Sequence, residues 1–562
     1  MNFGFLGICI ILFFLYLSYV TIITFQFILY KSSKTSLMTS SPDHDKIAKS
    51  TGIVSSATLL SRVLGLVREQ VFAYLFGAGY NTDAFIAAFR IPNLLRDLFA
   101  EGALSSAFIP VFTDHLTNQG KEKAWELANL ILNLLLVTLC VLVVLGIIFA
   151  PYLVEIIAPG FSHEAGKQEL TTHLSQIMFP FLLLVALAAL VMGILNTFRH
   201  FGIPALAPTM FNLGMIAGGI ILSPYVHPPI VSMAIGVLLG GLGQFAIQLP
   251  SLKKIGFKYR FTINLHHPGV KRILWLMTPA TLGLASTQVN IFVNTLIASF
   301  LPQGSVSYLS YSFRLMQFPI GMFGVAVATV TFPIISEHAA KKDISSLLST
   351  FSSSLKLVFF LTIPSAIFLA VSSQPVISVL FQHGRFDYLD TIATSQALIF
   401  YCIGLFAYSS VRLTASTFYS MGDTKTPVKT SLVAVAMNIM LNLILMKPLG
   451  FRGLATAASV SAMVNLFLLL VVLDRRIGPL NRKDIWETFF KILSSAVFMG
   501  IILWLYLRFF GLNLQTSGLF PKIGELLVIL ILGLASYTII SYLLKLKELD
   551  RILVLLKIKK NT

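Results

Sequence analysis

"SRVLGLVREQVFAYLFGAGYNTDAFIAAFRIPNLLRDLFAEGALSSAFIPVF", residues 61–112, is apolar enough for membrane-crossing helices and yet crowded with charge. On a helix advancing about 100° per residue, Arg62 and Glu69 lie nearly superposed on one face, with Arg68 to the side. Further along, Asp83, Arg90, Asp97 and Glu101 share a face, Asn93 and Arg96 sit beside it, and the opposite face is Phe- and Leu-rich. Pro92 removes a backbone hydrogen bond and is expected to bend this helix. Ionisable groups inside a bilayer are costly, so they face a cavity or a partner and mark a pathway. A purely structural reading pairs them with one another, and the Asp83–Arg90–Asp97 spacing suits it for Arg90, Asp97 and Glu101. Arg62, Arg68 and Arg96 lack enough nearby acids for full neutralisation. Surplus guanidinium in a cavity suits a di-anionic phosphate, whose oxygens the planar fork can bond in pairs. Arg62, Arg68, Asn93 and Arg96 are therefore candidates for substrate binding, and Glu69, Asp83, Arg90, Asp97 and Glu101 for gating or charge balance.

The rest of the chain has the same character. Of its 562 residues 56% are apolar and 11% charged, far below the quarter charged in ordinary soluble domains. Apolar spans lie near 51–75, 83–112, 127–156, 171–197, 205–223, 230–250, 273–300, 305–335, 352–381, 391–420, 429–447, 453–473, 486–508 and 523–544. Each can cross a hydrocarbon core about 30 Å thick. The fold class is thus an all-α polytopic membrane protein of about 14 transmembrane helices. A net charge of +18 could point to nucleic acid, but in such a chain excess Lys and Arg marks the cytoplasmic loops. With residues before 51 inside, one side holds about two dozen basic residues and the other about six. The inside set includes the cluster Lys253, Lys254, Lys258, Arg260, Lys271 and Arg272; Lys447 and Arg452 are the exception. Both the N-terminus of the core and the C-terminus are therefore expected in the cytoplasm. Residues 3–29 are apolar without a preceding basic region or a small-residue cleavage site. Two readings stay open: an extra span, or a start at Met38. Cys9, Cys140 and Cys402 are too scattered for a disulfide framework or a metal site.

The chain also repeats itself. Phe89-Arg90 precede Pro110 as Phe313-Arg314 precede Pro333, and "NTFRHFGIPALAPTMFN" (196–212) resembles "STFYSMGDTKTPVKTSLVAVAMN" (416–438). Both matches are offset by about 220 residues, as in transporters built from two parallel bundles that support alternating access. The expected division is an extension at 1–45, six-helix bundles at 46–260 and 261–478, and two added helices with a basic tail at 479–562. In the second bundle Ser307, Ser310, Arg314, Gln317 and Gly321 form a polar stripe with no acid on it. That makes Arg314 a further candidate for the substrate phosphate, with an acid across the cavity as the alternative. Arg412 lies in the cytoplasmic half of its span and is read as snorkelling to water. No phosphate loop or catalytic constellation is present, so the reading is a transporter and not an enzyme, without cofactor.

Residues 61–112, with "FRLMQFPIGMFGVAVATVTFPIIS" (313–336) and "FYSMGDTKTP" (418–427), resemble the MurJ (MviN) family of the MOP transporter superfamily over about residues 50–545. The resemblance implies a flippase of the bacterial inner membrane that carries lipid II, the peptidoglycan precursor, to the outer leaflet. Its partners would be lipid II, membrane lipids and cell-wall synthesis proteins, with no nucleic acid. The family's cavity arginines match Arg62, Arg68, Arg96 and Arg314 and would engage the pyrophosphate. The acids of "TDAF" and "AEGA", Asp83 and Glu101, would serve gating or charge balance. Spans thirteen and fourteen would form a groove for the polyprenyl tail. The chain departs from the family pattern at Phe313 and Gln317, where acids are common, which leaves the cavity more positive. Some members bind sodium through carboxylates; the nearest equivalents here are Asn294, Asn438 and Asn442. A hard cation without carboxylate ligands is held weakly, so the membrane potential is the expected drive. Three rivals remain: a flippase for another polyprenyl-pyrophosphate-linked glycan; a multidrug exporter, whose cationic substrates an Arg-rich cavity would repel; and a membrane scaffold for cell-wall or division proteins, against which the intramembrane arginines argue.

Overall fold

A computed structural model describes residues 42–97 and 103–555. The extension at 1–41, both readings of it, and Glu101 lie outside the described residues. No strand occurs among the described residues. The helices run α1 (Pro42–Phe76), α2 (Tyr80–Arg96), α3 (Ala103–Asn118), α4 (Lys121–Ile157), α5 (Lys167–Met178), α6 (Phe181–Thr197), α7 (Gly202–Ala217), α8 (Val231–Ala246), the short α9 (Leu249–Lys254) and α10 (Pro268–Ser299). There follow α11 (Ser305–Pro319), α12 (Ala326–Ala340), α13 (Ile344–Val371), α14 (Ser373–Phe381), α15 (Tyr388–Cys402), α16 (Leu405–Ser420), α17 (Lys425–Leu449), α18 (Phe451–Ile477), α19 (Arg482–Phe510), α20 (Leu519–Leu543) and α21 (Lys547–Leu555).

The described residues of all fourteen expected spans are largely helical. Ten described helices are long and apolar enough to cross a membrane, or eleven with the bent pair α15–α16. The remaining three expected spans are α1, the α2–α3 stretch and α10, which are helical but include the most heavily charged part of the chain. The protein is a multi-pass membrane protein. Pro92 lies inside α2, and the next described helix begins at Ala103. In the repeated counterpart α11 ends at Pro319 and passes through a π-helical stretch, Ile320–Val325, before α12. A ring at that position cannot donate the helix bond and clashes with the preceding turn.

The chain falls into two compact units, Thr39–Val306 and Ser307–Thr562. The first therefore contains α10, the expected seventh span, which packs on α3 and α4. Its core stacks Phe108, Phe112, Leu127, Ile131, Val191 and Ile194 from α3, α4 and α6. Helices α7 and α8 touch through glycine: a Cβ at Gly214 would stand 2.3 Å from the Gly240 nitrogen, and one at Gly218 would stand 2.6 Å from Gly236 Cα. Bare backbone on both sides lets helices in lipid approach closely enough for dispersion to hold them.

In the second unit α19 and α20 pack on α13 and α14. Leu355, Phe359 and Ile363 of α13 meet Ile492, Ala496, Met499 and Leu503 of α19. Lys356 Nζ bonds Asp484 Oδ2 at 2.6 Å, tying the start of α19 to α13. The 44° bend between α15 and α16 has a local cause. Ser459 Oγ donates to the Phe400 carbonyl (2.7 Å), and Gly404 lies so near α18 that a Cβ there would be 2.6 Å from Ser459 Cα.

Candidate functional site

Arg62 is exposed on α1, two turns before Glu69. Arg68 and Glu69 are mostly buried and bonded to each other, with Nη2 2.5 Å and Nε 3.1 Å from Oε1. The Arg68 guanidinium also sits 5.6 Å from the centre of the Phe211 ring on α7, within cation–π range. Helix α7 is fixed against α1 by Asn212, whose Nδ2 donates to the Ser61 carbonyl at 2.9 Å, and Gly65 lies against the same amide.

On α2, Arg96 bonds its neighbour Asp97 through Nη2 (2.8 Å) and Nε (3.2 Å), and Gln288 of α10 donates to the other oxygen of Asp97 at 2.8 Å. Arg90 and Asn93 are half-buried at mid-helix, and Pro92 is buried. Asp83, at the start of α2, is 1% exposed. Its Oδ2 accepts from Lys167 Nζ (3.2 Å) and from the Gly304 N–H (2.7 Å). Lys167, equally buried, also donates to Glu164 (2.8 Å) and lies 4.3 Å over the Phe161 ring. A pair so deep is tenable because its remaining donors and acceptors are also satisfied.

This geometry corrects two sequence readings. Asp97 does not pair with Arg90 along their shared helix face. Asp83 is held by α5 and by the segment before α11, and Asp97 by the adjacent Arg96 and by α10. Nor are Arg68 and Arg96 short of local acids, since each has a carboxylate next to it in sequence. The i,i+1 pairs escaped notice because helical periodicity points adjacent residues about 100° apart, and long guanidinium stems bridge that angle. The sequence reading did not single out Lys167 at all. It opens a polar helical stretch, "KQELTTHLSQ" (167–176), that leads into an apolar run, and nothing in that pattern marks it. In number, the four arginines Arg62, Arg68, Arg90 and Arg96 are matched by the four acids Glu69, Asp83, Asp97 and Glu101, and Lys167, which shares Asp83, brings Glu164 with it.

In the second unit Arg314 is exposed on α11. Near it in sequence, Tyr308 donates to Asp390 of α15 (3.1 Å), and Ser312 to the Thr394 carbonyl (2.7 Å). Asn438 and Asn442 are fully buried on α17 and bonded to each other at 3.0 Å.

Residues 72–523 match the family model described as "Lipid II flippase MurJ". The chain is 38% identical over 520 residues to a probable lipid II flippase MurJ of Vibrio cholerae, covering 90% of this chain and 98% of that one. It is 36% identical over 490 residues to the lipid II flippase MurJ of Burkholderia cenocepacia, covering 86% and 95%. Among solved structures it resembles a MurJ in an inward closed conformation, with TM-score 0.73 and 30% identity over 87% of this chain and 98% of that one. An inward-facing MATE multidrug transporter of the MOP superfamily shares the fold alone, with TM-score 0.63 and 16% identity over 76% of this chain and 97% of that one.

Proposed function

This chain belongs to the MurJ family, and on that premise we propose that it carries lipid II from the inner to the outer leaflet of a bacterial inner membrane by alternating access. The observation that carries the reading is the set of guanidinium groups placed on the membrane-spanning part of α1 and on α2, with Arg62 exposed and Arg68 and Arg96 each held by the carboxylate next to it. A pyrophosphate is the complementary ligand. An arginine has five N–H donors, and one carboxylate does not use up the fork. The neighbouring acids hold Arg68 and Arg96 in fixed positions, which is what pre-organised anion binding requires. Arg62, Arg68, Asn93 and Arg96 are proposed as headgroup contacts, with Glu69, Asp83, Arg90, Asp97 and Glu101 balancing charge. Arg314 is a further proposed anion contact. The same guanidinium groups suit an anionic headgroup better than the cationic compounds of a multidrug exporter. No carboxylate stands at Asn294, Asn438 or Asn442, so membrane potential is the proposed drive, worth about 2.3 kcal/mol per charge at 100 mV.

The test is growth rescue. In cells depleted of their own flippase, the wild-type chain should restore growth, and Arg62→Glu, Arg96→Glu or Arg314→Glu should not, at equal protein level. Rescue by all three charge reversals would overturn the site. Accumulation of a different polyprenyl-linked glycan, with lipid II unaffected, would overturn the substrate.

A further inference from the structure

The segment between α9 and α10, residues 255–267, is an ordered strap. Two asparagines of α4, one turn apart, pin its backbone. Asn129 donates to the Lys258 carbonyl (3.1 Å) and accepts the Arg260 N–H (2.8 Å). Asn133 donates to the Arg260 (2.8 Å) and Thr262 (3.0 Å) carbonyls, and its oxygen accepts the Tyr259 hydroxyl (2.9 Å). Both asparagines are buried, so these bonds answer the demand that polar groups in a membrane helix be satisfied.

Helix length fixes the depth of the strap. α4 has 37 residues, about 55 Å at 1.5 Å each, against a hydrocarbon core of about 30 Å. A centred helix projects roughly 12 Å at either end, and Asn129 and Asn133 stand about 12 and 18 Å from Lys121. The strap therefore lies where hydrocarbon meets headgroups.

Its outward side chains suit that level. Tyr259 is 55%, Phe261 64% and Trp275, on the first turns of α10, 74% exposed. Lys258 and Arg260 alternate with them, also exposed, and Lys253, Lys254 and Lys271 flank the strap. Residues 251–272 contain no Asp or Glu, and Arg272 is paired with Asp114 of α3 (3.0 Å). Aromatic side chains between lysines and arginines are the composition of a membrane-interface element. The same cluster dominates the charge bias that assigns this end to the cytoplasm, whose leaflet is the anionic one.

We propose that the 255–267 strap is a docking surface for anionic phospholipid, its Phe261 ring entering the acyl boundary, the exposed ring face of the inwardly bonded Tyr259 lying against it, while Lys258 and Arg260 take lipid phosphates. The test titrates dioctanoyl phosphatidylglycerol into the full-length protein in neutral detergent, with phosphatidylcholine of the same tails as control. Phosphatidylglycerol should bind preferentially and more weakly as salt rises. Each charge removed should weaken binding about fivefold, so Lys258→Gln with Arg260→Gln should weaken it roughly 25-fold at unchanged Tm. Equal binding of the two lipids, or equal affinity in variant and wild type, overturns the proposal. A second measurement places an environment-sensitive dye at Phe261→Cys in a Cys9→Ser, Cys140→Ser, Cys402→Ser background. A blue shift in phosphatidylglycerol-containing nanodiscs supports the docking. A water-like spectrum there, as for a surface reserved for a soluble protein, contradicts it.

Discussion

Asp83 and Lys167, 84 positions apart, form an ion pair of 3.2 Å from which water is almost wholly excluded. The same carboxylate oxygen takes the Gly304 N–H at 2.7 Å. One acid thus ties α2 to α5 and to the segment leading out of the first unit. Removing one partner strands the other charge at a cost of about 3–5 kcal/mol. Asp83→Asn and Lys167→Met should each lower Tm in detergent sharply, and the double variant should lose less than the sum. Strict additivity would mean that the pair contributes nothing as a pair.

The α7–α8 contact depends on missing side chains. Gly214→Ala would place a methyl 2.3 Å from the Gly240 nitrogen, where backbone, not a movable side chain, must yield. The expected loss is about 1–3 kcal/mol, read as a lower Tm. Gly524→Ala, where a Cβ meets nothing within 4 Å, is the matched control and should leave Tm unchanged.

His383 gives a pH signature. It lies in the turn between α14 and α15, its Nε2 3.2 Å from the Val379 carbonyl. Burial pushes its imidazole below the ordinary 6.5; the Val379 carbonyl opposes this, and Lys522 nearby reinforces it. The folded state thus resists the proton. Above pH 6.5 the ring is neutral folded or unfolded and adds no penalty. As pH falls below 6.5 the unfolded chain takes up the proton first, so stability drops until the folded value is passed. Tm should fall between about pH 7.5 and about pH 5.5, and His383→Gln should shrink that fall. An unchanged fall would assign the dependence to other groups.

Much of the architecture was legible because hydropathy and helix length are nearly the whole problem for a chain that must satisfy its backbone internally. The described residues of every expected span are largely helical; Pro319 sits where regular winding gives way to a π stretch, whereas α2 runs on through Pro92 to Arg96. The charges of α1 and α2 were legible as residues but not as pairs. Periodicity reports which face a residue shares; it does not report that Glu69 turns to Arg68 or that Gln288, far along the chain, reaches Asp97. Lys167 was invisible for the same reason, since its partners come from the packing of α5 on α2 and not from its neighbours in sequence.

The most direct measurement is lipid II exposure at the outer face of flippase-depleted cells that express this chain, scored by cleavage with an externally added headgroup hydrolase. The account predicts cleavage with the wild-type chain, and protected, inward-trapped lipid II with Arg62→Glu plus Arg96→Glu at equal protein level. Full cleavage with the charge-reversed chain, or none with the wild type, would contradict it.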